Sequence, residues 1–419
     1  LINQGVSYLG SQYVSLENNN TGQNPASATA FWAVLSNGLL TMVDFSGDTV
    51  LDTTALGLNP YYFVLNGGGN TGYTLNSDKT VTSFSISTSL IESQVLETTL
   101  LPGADPVSFF ASSTNSYIAD PGVSAIDQLT GTPPELKQEL PVSPGNSPIY
   151  VVGQSGAPRV YAISQAANGG PGEAAAIETS GNTISATLPV GSGPVYGVMT
   201  VDDRRAFVLN QTDGTVTVIN SQTNALDTPV NTIAVGQRPV WADLASGLDE
   251  LVVLNEGSGT NQGSLSIINI PLCSVTALPS NPNCDPTNPI DAATFGTTVA
   301  TVTVGVNPIM VSVLSDYSRA YVANAGVAGL QCSPNGLPQT GYTTCTVSVV
   351  NLLSDTVTAT IPISGHPAYI ATTAASPTGK VYVVCNDSQV LTVIETDTDS
   401  VDTTIPLQGY GVSVRVTAP

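Results

Sequence analysis

Gly191-Ser-Gly-Pro194 opens the stretch that decides the fold. It continues as Pro194-Val-Tyr-Gly-Val198, Arg205-Ala-Phe-Val-Leu-Asn210 and Val216-Thr-Val-Ile-Asn220, and it closes at Gly236-Gln-Arg-Pro239. Each segment is short, rich in β-branched residues and bounded by Gly, Pro, Asn or Asp, the pattern of consecutive strands. The Gly-x-x-Pro tetrad repeats in both directions, at Gly57-Leu-Asn-Pro60, Gly103-Ala-Asp-Pro106, Gly145-Asn-Ser-Pro148 and Gly305-Val-Asn-Pro308. A shortened Gly365-His-Pro367 and a degenerate Gly409-Tyr-Gly-Val412 follow. The glycine-to-glycine steps are 46, 42, 46, 45, 69, 60 and 44 residues. A period in the forties with strands between the turns predicts an all-β β-propeller of four-stranded blades. In this reading Gly supplies positive φ where one blade hands over to the next. Pro then opens the innermost strand, where a missing N–H is tolerated.

The third strand of each period alternates apolar and polar residues, as in Leu265-Ser-Ile-Ile-Asn269, Val347-Ser-Val-Val-Asn351 and Leu391-Thr-Val-Ile-Glu395. The fourth is Thr-rich, as in Thr298–Val304 and Thr356–Pro362. Counting Leu40-Thr-Met-Val-Asp44 as a third strand gives eight blades, with seven as the alternative. Thr417 ends a segment from Gly411 that matches the first strands, so the two chain ends are expected to share a blade and remove the ring's open edges. Residues 11–419 then form one propeller domain with insertions near 271–295 and 326–344, and residues 1–10 stand outside the repeat.

Tyr321-Val-Ala-Asn324, Phe207-Val-Leu-Asn210 and Val218-Ile-Asn220 resemble the YVTN family of β-propeller repeats. The resemblance covers roughly residues 31–417 and is strongest from Gly191 onward. It implies a scaffold of the kind found in secreted and surface-layer proteins of bacteria and archaea, commonly with seven blades. It implies no activity, because the motif residues are structural.

Composition narrows the function classes. The formal charge is −22, with nine Lys and Arg against 31 Asp and Glu. That balance disfavours nucleic acid and anionic membranes, which need clustered cations. Only 10% of residues are charged, so the surface must be covered by Thr, Ser, Asn, Gln and Gly, a coat associated with extracellular β-proteins. No run of 18 apolar residues exists, so no membrane span is expected. The chain starts at Leu1 and is read as a mature secreted protein whose signal peptide has been removed.

Few residues carry chemistry. Cys273 and Cys284 lie 11 apart in one insertion, and Cys332 and Cys345 lie 13 apart in the next. Without a Cys-x-x-Cys pair and with one His in the chain, loop-local disulfides are expected rather than metal sites. Cys385 is left as a free thiol at a strand end, or as one half of an intermolecular bridge. Glu395, Asp397, Asp399 and Asp402 form an acidic turn that is a weak calcium candidate, without the Asp-x-Asp-x-Asp-Gly loop. No Gly-x-Ser-x-Gly elbow is present, and a single His366 would have to serve any triad.

The expected function is therefore non-catalytic and cofactor-free: an extracellular structural or adhesive building block, self-assembling into a surface layer or filament. Its partners would be copies of itself, with cell-surface or glycan contacts besides. The apolar residues Leu1, Ile2, Val6, Tyr8 and Leu9 of the N-terminal segment are the expected assembly arm, docking by strand addition. The alternative is an enzyme or ligand-binding propeller acting at its central channel through Asp105, Arg238 and His366.

Overall fold

The computed structural model describes residues 5–8, 11–15, 22–24, 32–35, 37–87, 96–112, 114–131, 133–259, 261–271 and 293–417. Seven four-stranded antiparallel sheets follow one another, spanning residues 60–99, 108–141, 146–192, 194–234, 239–306, 308–363 and 367–406. They are blades 1 to 7 of a β-propeller. Blade 4 has a split outer edge, in which Ala225–Leu226 and Thr232–Ala234 both pair with Thr215–Asn220. The first strands of blades 1 to 7 touch in series, which places them around the axis. No helix among the described residues is long and apolar enough to cross a membrane.

The second strand of each blade explains why the sheets stack. In Arg205–Asn210, Ala206 and Val208 pack toward blade 3 beside Tyr161 and Ile163, while Phe207 and Leu209 pack toward blade 5 beside Val253 and Ile268. Alternate side chains point to opposite faces of a strand, and both faces of this one are covered. That is why the segment reads as a continuous apolar run. Each large side chain so buried stabilises the ring by about 1.5–3 kcal/mol.

Asn at the end of that strand organises the turn. The Asn324 side-chain amide donates to Thr346 Oγ1 at 3.1 Å and to Ser348 Oγ at 3.0 Å on the third strand. Asn76, Asn210 and Asn255 make the same bonds to Thr82, Thr217 and Ser266. The first residue of the tetrad lies against this amide. A Cβ at Gly305 would sit 2.5 Å from Asn324 Cγ, and one at Gly191 or Gly236 would sit 2.6 Å from the Cγ of Asn210 or Asn255. Positive φ falls mostly elsewhere, on the residue before Pro: Asn59, Gly193, Arg238 and Asn307 at 43°, 61°, 55° and 50°. Only Gly103 and Gly145 themselves adopt it, at 96° and 84°. The tetrad glycine is thus set chiefly by close approach, which corrects the expectation from backbone freedom.

A second device joins the blades. Tyr117, Tyr161 and Tyr321 on second strands donate to Asn182, Asn224 and Asp399 in the turn between the third and fourth strands of the next blade, at 2.6, 3.4 and 2.6 Å. These acceptors all hold left-handed backbone, with φ of 49°, 53° and 49°.

The blade count is seven, not the eight expected. At the N-terminal side the chain builds β1 (Gly5–Tyr8), β2 (Ser11–Ser15) and β3 (Trp32–Leu35) as a separate three-stranded sheet. The next strands, β4 (Asn37–Asp44) and β5 (Thr49–Leu58), pair only with each other among the described residues. This hairpin sits between blades 7 and 1. Val43 packs against Tyr382 and Val384 of blade 7, and Leu40 and Met42 pack beside Phe84 of blade 1. Tyr382 reaches Asp48, at φ 50°, in the β4–β5 turn at 3.5 Å, repeating the inter-blade contact. The expected joining of Val412–Val416 to the blade of Leu39–Asp44 by strand pairing is not seen, because residues 407–417 carry no strand ladder. Val414 and Val416 instead pack on blade 7 through side chains alone.

Gly305→Ala should lower unfolding stability by about 1–3 kcal/mol by overpacking the Asn324 amide. The cost should shrink in an Asn324→Ala background, and a double-mutant cycle in urea measures the coupling. Equal costs in both backgrounds would exclude the steric account.

Candidate functional site

Every blade but the second carries a bulge directly after the tetrad Pro. Pro308 pairs with Asn324 and Met310 with Ala323, so Ile309 is skipped, and Pro60, Pro148, Pro194, Pro239 and Pro367 repeat this shift. The bulge re-aims the residue two after Pro. That residue is Tyr62, Tyr150, Tyr196, Trp241 or Tyr369 in five blades, Met310 in blade 6 and Ser108 in blade 2.

These rings meet at the axis. Tyr150 and Tyr196 have centroids 4.7 Å apart, Tyr196 and Trp241 stack at 4.0 Å, and Trp241 meets Tyr369 edge-on at 6.2 Å. Trp241 and Tyr369 belong to blades 5 and 7, and side chains from non-neighbouring blades can touch only near the centre. Arg415 enters from the C-terminal segment. Its guanidinium lies 4.3 Å from the Tyr369 ring centroid, and its Nε donates to the Phe63 carbonyl of blade 1 at 3.1 Å. Each ring pair contributes about 0.5–1.5 kcal/mol beyond its burial. Desolvation raises the Tyr62, Tyr150 and Tyr196 hydroxyls above their usual range. Asp243, two residues beyond Trp241 on the first strand of blade 5, is pushed up to about 6 by desolvation, although Val313 N–H donates to it at 2.8 Å. Nothing in the tetrad predicted this cluster, but an aromatic residue two positions after Pro was its visible signal.

The residues expected to act at the channel do not converge. Asp105 pairs with Lys79, and Arg238 pairs with Glu256 at 2.9 Å. His366 places Nδ1 2.6 Å from Asp387 Oδ2 and Nε2 2.9 Å from the Leu330 carbonyl. It thereby ties the second insertion to blade 7. Cys332 and Cys345 form the expected disulfide there, with Cα atoms 5.5 Å apart. Cys273 and Cys284 lie outside the described residues, as do Leu1, Ile2 and Leu9. Cys385 is a buried free thiol pushed up to about 12 by desolvation, out of reach of an intermolecular bridge.

The acidic turn is also divided. Glu395 and Asp402 gather with Asp48, but the Lys380 ammonium stands there, 2.5 Å from Asp48 and 3.6 Å from Glu395. Asp399 accepts from Arg319 and Tyr321, each at 2.6 Å, and Asp397 is exposed.

Two acidic pairs, one buried and one half-buried, break the repeat's pattern. In blade 2, Asp120 stands where blades 1, 4, 5 and 6 have Asn76, Asn210, Asn255 and Asn324, and Asp127 stands on the third strand where these have Thr82, Thr217, Ser266 and Ser348. Burial, then repulsion from Asp120 and Glu139, drives the Asp127 carboxyl far above its usual range. At the junction of blades 5 and 6, Glu250 stands in the place of the cation and meets Asp355 at the usual acceptor position. Desolvation and the charge of Asp355 push Glu250 up to about 7.

No family model matches the chain, and no curated protein sequence matches it. Solved structures do match in fold. Dihydro-heme d1 dehydrogenase NirN in complex with DHE aligns at TM-score 0.63 and 11% identity, over 89% of this chain and 72% of that one. Apo AztD from Citrobacter koseri aligns at 0.56 and 12%, over 89% and 93%. Kuenenia stuttgartiensis hydrazine synthase aligns at 0.52 and 14%, over 77% and 92%. At such identities the likeness is one of fold.

Asp127 keeps its proton when folded and loses it when unfolded, so its contribution to stability falls as pH rises from the ordinary carboxylate range through the raised folded value. The Asp120→Asn/Asp127→Thr variant, which restores the sister-blade pair, should flatten that decline. Thermal midpoints measured from pH 4 to about 8 check it; an unchanged slope would contradict the assignment.

Proposed function

We propose that this chain is a non-catalytic, secreted β-propeller that serves as a structural or adhesive building block and associates with copies of itself. The observation that carries the reading is the filled axis. The place where a propeller would hold a ligand is occupied by the chain's own rings and by Arg415. The disulfide within the second insertion is compatible with an oxidising compartment. The strand motifs support a distant kinship with the YVTN repeats. With a formal charge of −22, association must rest on apolar or backbone contacts rather than ion pairs. The N-terminal segment, including Val6 and Tyr8 on β1, is the proposed arm.

Deleting residues 1–10 should leave the thermal transition little changed and abolish higher-order assembly, as read by light scattering and negative-stain microscopy. A truncated chain that assembles like the full one excludes the arm.

One observation favours a second reading, a small anion bound at the axis. Among the described residues Arg415 has no carboxylate within ion-pair distance, and the Tyr369 hydroxyl is buried without a partner. Titration with inorganic phosphate, followed by Trp241 fluorescence, should then saturate more tightly below pH 6, where Asp243 is neutral. Loss of the response in Arg415→Ala supports this reading, and no response in the native protein removes it.

A further inference from the structure

The β4–β5 hairpin is half a blade. It provides a third and a fourth strand, engages blade 7 through the Tyr382–Asp48 contact that joins complete blades elsewhere, and fills both faces with apolar side chains. Its inner edge is open. Among the described residues β4 pairs with β5 alone, and its other row of backbone groups meets no ladder. A strand covered on both faces but open along one edge is a template for one more strand. The exposed Leu39 and Phe45, at 42% and 41%, mark the two ends of that edge.

The chain also carries a strand that suits the slot. β3 lies at the margin of its own sheet, paired on one side with β2. One residue separates β3 from β4, and Ser36-Asn37-Gly38-Leu39 contains the Asn-Gly pair that most strongly favours a two-residue hairpin turn. Such a turn would set Leu35 opposite Leu40 and Val34 opposite Thr41, rebuilding the second-to-third-strand hairpin of the other blades. The turn is not made. It requires positive φ at both central residues, and Gly38 does not have it. Asn37 is instead paired with Leu58 in the β4–β5 ladder, and Gly38 is pressed against the ring of Pro60. The ladder and Pro60 keep Asn37 and Gly38 out of that turn, and among the described residues β3 pairs with β2 rather than with β4.

We propose that β3 of one copy completes the half-blade of a second copy, a strand exchange that turns the open edge into the subunit joint. The hinge at Asn37 and Gly38 decides for a second copy, since pairing within one chain would require it to leave both the ladder and Pro60. The exchange uses backbone hydrogen bonds, which a formal charge of −22 does not preclude. Donor and acceptor surfaces differ, so the contact is head-to-tail and propagates unless a ring closes. This rests on the building-block reading and extends its arm from residues 1–10 to β3, which β2 joins to β1 in one sheet.

The test mixes two full-length chains, Val34→Cys and Thr41→Cys, under mild oxidation, because such a mixture can cross-link only between copies. A disulfide-linked dimer in the mixture, above the level in either chain alone on a non-reducing gel, is the expected result. The Val34→Cys/Thr41→Cys double variant should form a ladder of higher multimers. A double variant that closes its disulfide within a monomer, with no dimer in the mixture, overturns the proposal in favour of completion within one chain. Native protein that assembles while the mixture stays uncross-linked overturns the joint but keeps the building-block reading. Native protein that remains monomeric at all concentrations by light scattering overturns both.

Discussion

The close approach of a glycine to a buried asparagine amide is the contact on which the ring depends. Asn324 binds two hydroxyls on the neighbouring strand, and Gly305 lies against its carbonyl carbon with no room for a methyl group. The amide fixes where the second strand stops, and the glycine lets the incoming chain pass over that stop. The following residues then take the left-handed conformation and enter the inner strand through Pro. Because the same arrangement recurs at Asn76, Asn210 and Asn255, the blades enter the axis at a common angle. The bulge after Pro converts that regularity into five aromatic side chains aimed at one point.

Where the amide is replaced, the chemistry of the blade changes. Blade 7 has Cys385, whose thiol makes no comparable bonds across to the third strand, and its tetrad is shortened to Gly365-His-Pro367. Blade 2 has Asp120, which accepts from the Asp105 and Gly122 N–H groups at 2.7 and 2.9 Å and so holds the tetrad through its backbone. Its partner Asp127 stays buried only by keeping a proton, since two carboxylates this close in a dry sheet do not both ionise. The Glu250–Asp355 pair applies the same constraint at a blade junction where Arg319 and Lys380 elsewhere meet an aspartate.

The inter-blade cores and the junction contacts together explain how half a blade can be held. Val43 and Asp48 satisfy blade 7, and Leu40 and Met42 satisfy blade 1, so both neighbours are covered on their apolar faces. Arg415 bridges the same two blades at the axis. Side-chain burial closes the gap between them, while the backbone edge of β4 stays open. Faces and edges of a strand are satisfied by different means, and here only the faces are.

The sequence by itself determined the propeller, its period, its strands and the Cys332–Cys345 bridge, because each rests on residues near one another in the chain. Alternation, turn residues and a 13-residue loop are local facts. The number of complete blades was not local. Leu40–Asp44 has the pattern of a third strand and forms one, but whether a second strand lies beside it depends on the hinge at Asn37 and Gly38, which Leu58 and Pro60 keep out of a hairpin turn. The axial cluster likewise needed the ring: Tyr62 and Tyr369 are some three hundred residues apart and share a site only because the ring brings together the bulges of six blades. The acidic turn at Glu395–Asp402 shows the reverse limit. Its carboxylates look like one cluster in the chain, and tertiary structure divides them, because the second strand of the same blade supplies Lys380 and the preceding blade supplies Arg319 as their counter-charges.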